Sequence, residues 1–146
     1  MTLDDVICKL EITDMIYEHQ RLLDNHQFEE SRGIYTPDAV MVANGGVEIR
    51  FADMSLETMK GQSSNYKPRL ITSVVVSPTG PNTAKAVCYS TLRRDLCPNA
   101  EQHYDFVKTD KGWKCRRMKI DILERFEGEL AKLQAEAAAK AKEKKM

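Results

Sequence analysis

The segment QHYDFVKTDKGWKCRRMKID, residues 102–121, reads as two strands of alternating polarity joined by a Thr-Asp-Lys-Gly turn. The chain's single tryptophan lies just beyond that turn. Side chains alternate along a strand, so Gln102, Tyr104 and Phe106 share one face while His103, Asp105 and Val107 share the other. A twisted antiparallel sheet that ends this way, behind a helical first quarter, predicts a cone with one concave face. Concave faces bind small molecules.

Upstream, Thr83 to Leu96 is a long alternating strand, and Leu70 to Val76 is a β-branched run stopped by Ser77-Pro-Thr-Gly-Pro81. Asp38 to Asn44 and Val47 to Ala52 read as strands around a Gly45-Gly46 hairpin turn. Asp53 or Ser55 caps a short helix to about Gln62, with Leu56 and Met59 facing inward. Thr2-Leu-Asp-Asp5 is a capping box. Behind it Ile12, Met15, Ile16, His19, Leu22 and Leu23 recur at helical spacing. Residues 26–34 form a shorter helix, with Pro37 in the loop that follows. Helices first and long antiparallel strands last make the class α+β.

From Leu123 the pattern changes. Leu123, Phe126, Leu130 and Leu133 recur at three-four spacing, after which apolar character thins into AEAAAKAKEKKM, a strong helix former with little surface for a core. The chain therefore divides into a cone domain, 1–122, and a helical tail, 123–146. That tail could lie on a partner or on the cone.

Charge and composition exclude several classes. Basic and acidic side chains number 22 each, so no net field draws in nucleic acid or anionic lipid. Hydrophobic content of 42% with 30% charged residues fits a globular domain rather than disorder. No apolar run approaches the roughly 20 residues that cross a bilayer. The opening MTLDDVICKLEITD is acidic and helical in period, unlike a secretion signal, so a cytoplasmic location is expected. Cys8, Cys88, Cys97 and Cys115 show no ligand spacing and read as buried thiols. With three scattered histidines, no metal site is expected.

Four phrases in order, LLDNHQFEESRGIYTPDAVM (22–41), PRLITSVVV (68–76), NTAKAVCYSTL (82–92) and HYDFVKTDKGWK (103–114), resemble the SnoaL-like polyketide cyclase group of the nuclear-transport-factor-two-like superfamily. Scytalone dehydratase and ketosteroid isomerase belong to that superfamily. The resemblance covers about residues 8–122. It implies a cone-shaped α+β barrel wrapped around the N-terminal helices, with an interior cavity, no cofactor, and a homodimer, here through the outer sheet face. Active members move protons inside that cavity, in dehydration, isomerisation or aldol-type cyclisation.

The resemblance also points to residues. Asp24 falls where dehydratase-like members keep a pocket aspartate. A carboxylate facing an apolar cavity would shuttle a proton, whereas a solvated Asp would merely cap the next helix. The preceding position, often tyrosine in those members, is Leu23. Arg69 aligns where a histidine is usual. Permanently charged, it could stabilise an enolate oxygen but not exchange a proton, which departs from the water-eliminating pattern. Ser73 stands where asparagine is common.

Tyr104 falls near the position of an oxyanion-binding acid in the isomerases, and a phenol can donate there. The bland alternative is a buried Tyr bonded to backbone. His103 is a base only if the strand faces the other way. Tyr17, two helical turns before Asp24, and Gln102 would orient the ligand, with Tyr89 and Trp113 completing the binding set. Tyr89 and Arg93 share a strand face, inner or outer. His19, on the apolar stripe itself, reads as a satisfied core histidine. Arg93-Arg94 with the basic run Lys114 to Lys119 reads as a solvated sheet face. It lacks the interleaved aromatics of a nucleic-acid site.

These readings favour a cofactor-free acid–base enzyme, a cyclase, isomerase or dehydratase, acting on a small apolar carbonyl compound such as a polyketide, terpenoid or steroid-like substrate. The alternative is a non-catalytic ligand-binding or dimerisation module of the same fold. The expected partners are a small hydrophobic ligand and a second copy, without nucleic acid or membrane.

Overall fold

The computed structural model describes residues 1–43, 46–54, 69–92 and 98–145. Helix α1 spans Leu3–Asp24 and begins with the capping box. The Asp5 N–H donates to Thr2 Oγ1 at 3.1 Å, and the Thr2 N–H donates to Asp5 Oδ2 at 3.0 Å. One stripe is buried: Cys8, Ile12, Ile16 and His19. Ile12 and Ile16 are 0% and 2% exposed, and burying each stabilises the fold by about 1.5–3 kcal/mol.

The end of α1 is equally specific. The His26 N–H donates to the Leu23 carbonyl at 3.0 Å and the Gln27 N–H to the Leu22 carbonyl at 2.9 Å, the paired bonds of a Schellman ending. This ending needs a left-handed residue, and His26 supplies it at φ 59°. Helix α2 (Phe28–Ser31) and a single 3₁₀ turn (Arg32–Ile34) then occupy the short helix read from the sequence.

Six described strands follow: β1 (Tyr35–Val42), β2 (Glu48–Arg50), β3 (Arg69–Gly80), β4 (Thr83–Leu92), β5 (Ala100–Thr109) and β6 (Gly112–Ile122). They form one sheet in the order β2-β1-β6-β5-β4-β3. All neighbours run antiparallel except β1 and β6, which run parallel. The β5–β6 turn is the Thr-Asp-Lys-Gly sequence, with Gly112 at φ 98° and the Thr109 hydroxyl donating to the Gly112 carbonyl.

Three boundaries differ from the sequence reading, the first being β2, expected to reach Ala52 but ending at Arg50 because Phe51–Asp53 form a 3₁₀ turn. Pro37 lies inside β1 rather than in a loop, because the pairing to β6 jumps from Tyr35↔Cys115 to Val40↔Arg117 and makes no use of its missing N–H. Ser77-Pro78 does not stop β3, which continues to Gly80 along the described edge of the sheet, where proline is tolerated. The helix expected to about Gln62, Arg93-Arg94 and Cys97 lie outside the described residues.

Bulges bend the sheet around α1. Between Thr72↔Tyr89 and Val75↔Val87, β3 sets two residues against one, with Ser73 left-handed at φ 54°. On β6 the register shifts beside Arg116, between Asp105↔Arg117 and Phe106↔Cys115. From Ala84 to Ser90 the inner face of β4 carries small side chains, Ala84, Ala86, Cys88 and Ser90, all buried. These share a core with Ile12, Ile16, Tyr104, Phe106, Trp113 and Met118, among others. Beyond the sheet, helix α3 spans Glu124–Lys145, and residues 132–144 along it are exposed throughout.

The left-handed His26 is a non-glycine residue in a position glycine occupies with less strain. His26→Gly is therefore expected to raise stability by about 0.5–1 kcal/mol in urea unfolding. A lowered stability would show that the His26–Phe28 ring contact, at 5.5 Å, outweighs backbone strain.

Candidate functional site

His19 faces the concave side of the sheet from the last turns of α1 and is 8% exposed. Its Nε2 lies 3.2 Å from the Tyr35 hydroxyl, with the two rings edge-on at 5.5 Å. Tyr35 in turn stacks on Phe51 at 3.8 Å. Burial pulls the His19 imidazole down to about 4 and pushes the Tyr35 phenol well above its ordinary range. Both are neutral near pH 7. With both groups neutral the bond runs in either of two ways: the phenol donates to Nε2 with the ring proton on Nδ1, or Nε2–H donates to the phenol oxygen and leaves Nδ1 unprotonated.

A second polar pair lies on the same inner face. The Tyr104 hydroxyl donates to Gln102 Oε1 at 2.5 Å, and both residues are buried. Cys88 Sγ is 4.0 Å from that hydroxyl. Burial first, then the neighbouring Cys88 and Tyr35, raises the Tyr104 phenol well above its ordinary range. Burial also pushes the Cys88 thiol up to about 11 and Cys115 up to about 12, so neither is a thiolate nucleophile at neutral pH. The described cysteines, Cys8, Cys88 and Cys115, are buried and free.

Beside Tyr35 the surface is hollowed, and of the groups just described Tyr35 and Phe51 form its wall. A groove of about 200 Å³ is lined by Arg32, Tyr35, Thr36, Pro37, Phe51 and Ala52. The Arg32 guanidinium at its rim donates to the Met54 carbonyl.

The residues singled out from the sequence separate into groups. Tyr104 and Gln102 are on the inner face and bonded to each other. Arg69 opens β3, half-buried and opposite Leu92, with the parity of Ile71 and Ser90 on that same face. Asp24 is half-buried at the end of α1 and accepts from Gln20 Nε2 at 2.9 Å. Tyr17 is 45% exposed on α1. Trp113 is buried towards the other end of α1, near Cys8, with the Lys108 ammonium 5.9 Å from its ring centre.

The convex face holds the others. Tyr89 pairs with Glu101 there, and His103 Nε2 lies 3.2 Å from Glu101 Oε1 and 3.6 Å from Asp121 Oδ2. These two residues are thus separated from the inner groups by the thickness of the sheet. Lys85–Asp105 and Arg117–Glu48 are ion pairs of the same outward surface.

Sequence reasoning placed His19 on the buried stripe but treated it as a packing residue, and it did not single out Tyr35. Reading Pro37 as loop put Tyr35 outside any strand, so no facing was assigned to it. Among the described residues no cluster of three His, Cys, Asp or Glu is placed to hold a metal, and no helix is long and apolar enough to cross a membrane.

The sequence profile of the SnoaL-like domain family matches residues 5–119. Among solved structures, an NTF2-like protein with a cystatin-like fold from Novosphingobium aromaticivorans aligns at TM-score 0.63 and 17% identity, over 82% of this chain and 84% of that one. A second protein of that organism, provisionally named a scytalone dehydratase, aligns at 0.62 and 13% identity, over 77% and 81%. An NTF2-like protein of unknown function from Pseudomonas putida aligns at 0.64 and 10%, over 80% and 87%. At these identities the likeness is one of fold. No curated protein matches the sequence.

His19 makes stability depend on pH with a definite sign. Its folded pKa of about 4 lies below the ordinary 6.5, so between those values the unfolded chain binds a proton that the native one does not. Stability is lost as pH falls through that window, by about 3 kcal/mol at its lower end. Urea unfolding at pH 7 and pH 4 should show a loss larger by about this amount in the wild type than in His19→Gln. Equal losses in the two proteins would mean that His19 is not held neutral.

Proposed function

This chain belongs to the SnoaL-like domain family, and we propose that its concave face binds a small apolar carbonyl compound and catalyses proton transfer on it without a cofactor. The observation that carries the reading is the pairing of a neutral, buried imidazole with a phenol, His19–Tyr35, beside a second phenol, Tyr104, held by Gln102. Proton abstraction next to a carbonyl needs a base in its unprotonated form and a donor aimed at the oxygen that gains charge. His19 stays unprotonated down to about pH 4. Tyr104 keeps its proton far into the alkaline range and donates it in a hydrogen bond.

In this reading the His19 ring proton lies on Nε2 and is donated to the Tyr35 oxygen, so that Nδ1 takes the substrate proton, and the Tyr104 O–H turns from Gln102 Oε1 to the enolate-like oxygen when ligand binds. Gln102 accepts the Tyr104 hydroxyl proton until the ligand oxygen takes its place. Asp24 and Arg69 act at the margin, Asp24 relaying the proton from the end of α1 and Arg69 adding positive charge near the oxygen. The groove beside Tyr35 and Phe51 is the approach for a flat, apolar ligand. The class of chemistry is that of an isomerase, cyclase or dehydratase. The name scytalone dehydratase belongs to a structural neighbour and lends support to the class alone.

One observation favours a second reading, a binding module without turnover. The titrating groups seen on the inner face, His19, Tyr35, Tyr104, Cys88 and Cys115, are all neutral at pH 7, and an imidazole near 4 is a weak base.

A single probe separates the two. With 2-tetralone in deuterated buffer, NMR follows loss of the α-proton signal while titration calorimetry follows binding. Catalysis predicts saturable exchange that falls about 10²–10³-fold in Tyr104→Phe and about 10²–10⁴-fold in His19→Gln. Asp24→Asn should also slow exchange, and an unchanged rate would remove Asp24 from the relay. Binding without exchange above the buffer rate would establish the module reading instead.

A further inference from the structure

At the end of α1 away from His19, helix and sheet leave a second hollow of about 200 Å³. It lies between the first turn of α1, the end of β3 with the turn after it, and the β5–β6 hairpin, which contributes Lys108 and Trp113. Cys8 walls it from the helix side, and His19 stands about 16 Å further along α1. The hollow shares no residue with the groove beside Tyr35.

One atom in its wall lacks a partner. Trp113 is 6% exposed, and its Nε1–H is the one buried side-chain polar group without a hydrogen-bond partner among the described residues. Such a donor is costly to leave unmet, because burial forfeits the hydrogen bond it made to water. An acceptor standing in the hollow against the indole supplies what the protein does not.

The charges around the hollow say what else its occupant carries. The Lys108 ammonium is 5.9 Å from the Trp113 ring centre, and Asp4 and Asp5 come from the first turn of α1. Among the described residues none of these three takes part in an ion pair. Asp5 Oδ2 accepts from the Thr2 N–H, which leaves its other oxygen for a second donor. Burial, then Asp5 and Glu11, raise the Cys8 thiol while Lys108 opposes them, so charges of both signs act on the wall. Ile7, Pro78 and Pro81 add apolar surface.

We infer that this hollow binds a small zwitterionic amino acid. Its carboxylate accepts from the Trp113 Nε1–H and pairs with Lys108, while its ammonium group is held by Asp4 and Asp5. A lone anion would stand against two carboxylates, and a lone cation would leave the indole N–H unmet. Volume sets the size. The hollow is smaller than the roughly 300–1,000 Å³ of sites for drug-sized ligands, so the amino acid has a short side chain.

Trp113 is the chain's only tryptophan, so its indole ¹H–¹⁵N signal reports on this site alone. The experiment titrates the full-length ¹⁵N-labelled protein at pH 7 with L-alanine, with propanoate, which lacks the ammonium, and with ethylamine, which lacks the carboxylate. The expected result is a saturable downfield shift of the indole proton with L-alanine, and affinities at least about tenfold weaker for the two fragments. Asp4 and Lys108 are exposed, so substitution there spares the fold. Asp4→Asn and Lys108→Met should each weaken L-alanine binding about three- to tenfold. Lys85→Met, on the convex face, should leave it unchanged. A signal that drifts without saturating would assign the N–H to water and overturn the site. So would a fragment that binds as well as L-alanine, or binding indifferent to either substitution.

Discussion

Ile12 and Ile16, buried to the last few per cent in the core that α1 shares with the sheet, set the geometry on which everything else rests. The helix lies closest to β3, bent at its bulge, and the small side chains of β4 belong to the same core. A larger residue at Ala84 or Ala86 would strain that core, because protein interiors are packed too densely to absorb the extra volume. The same contact fixes the rotation of α1. With Cys8, Ile12 and Ile16 facing the sheet, His19 has no choice but to enter the concave side about one turn beyond Ile16.

Polar groups in that position must be neutral and paired. An imidazole enclosed among Tyr35, Phe51 and the sheet loses its hydration, so the charged form becomes the costly one. Tyr35 and Gln102 provide the missing hydrogen bonds for His19 and Tyr104. The result is a small set of hydrogen-bonding groups without formal charge in an apolar setting, suited to a ligand that is itself uncharged and oxygen-bearing. The convex side follows the opposite rule. There Lys85, Asp105, Arg117 and Glu48 alternate in hydrated ion pairs, each worth little on its own.

Much of this was legible in local pattern. The capping box of α1, the Thr109–Gly112 turn and the facing of Gln102, Tyr104 and Phe106 are consequences of near neighbours in the chain, and they occur as their residues dictate. The two prolines misled for one reason: proline removes an N–H, and whether a strand can spare it depends on the pairing at that point. At Pro37 the ladder is interrupted by a bulge, and at Pro78 the strand lies at the described edge of the sheet. Tyr35 was hidden by the same error, since a residue assigned to a loop has no face.

By itself, then, the order of residues determined the class of fold, the capped start of α1, the parity of the long strands and the unusual make-up of the last helix. These depend on interactions within a few positions, where backbone geometry leaves little freedom. Which face of α1 meets which strand, that His19 reaches Tyr35 sixteen residues away, and that His103 and Tyr89 fall outside the concavity were decided by the folded chain alone. Those outcomes depend on where the sheet bends and which strands become neighbours, and no local propensity encodes either.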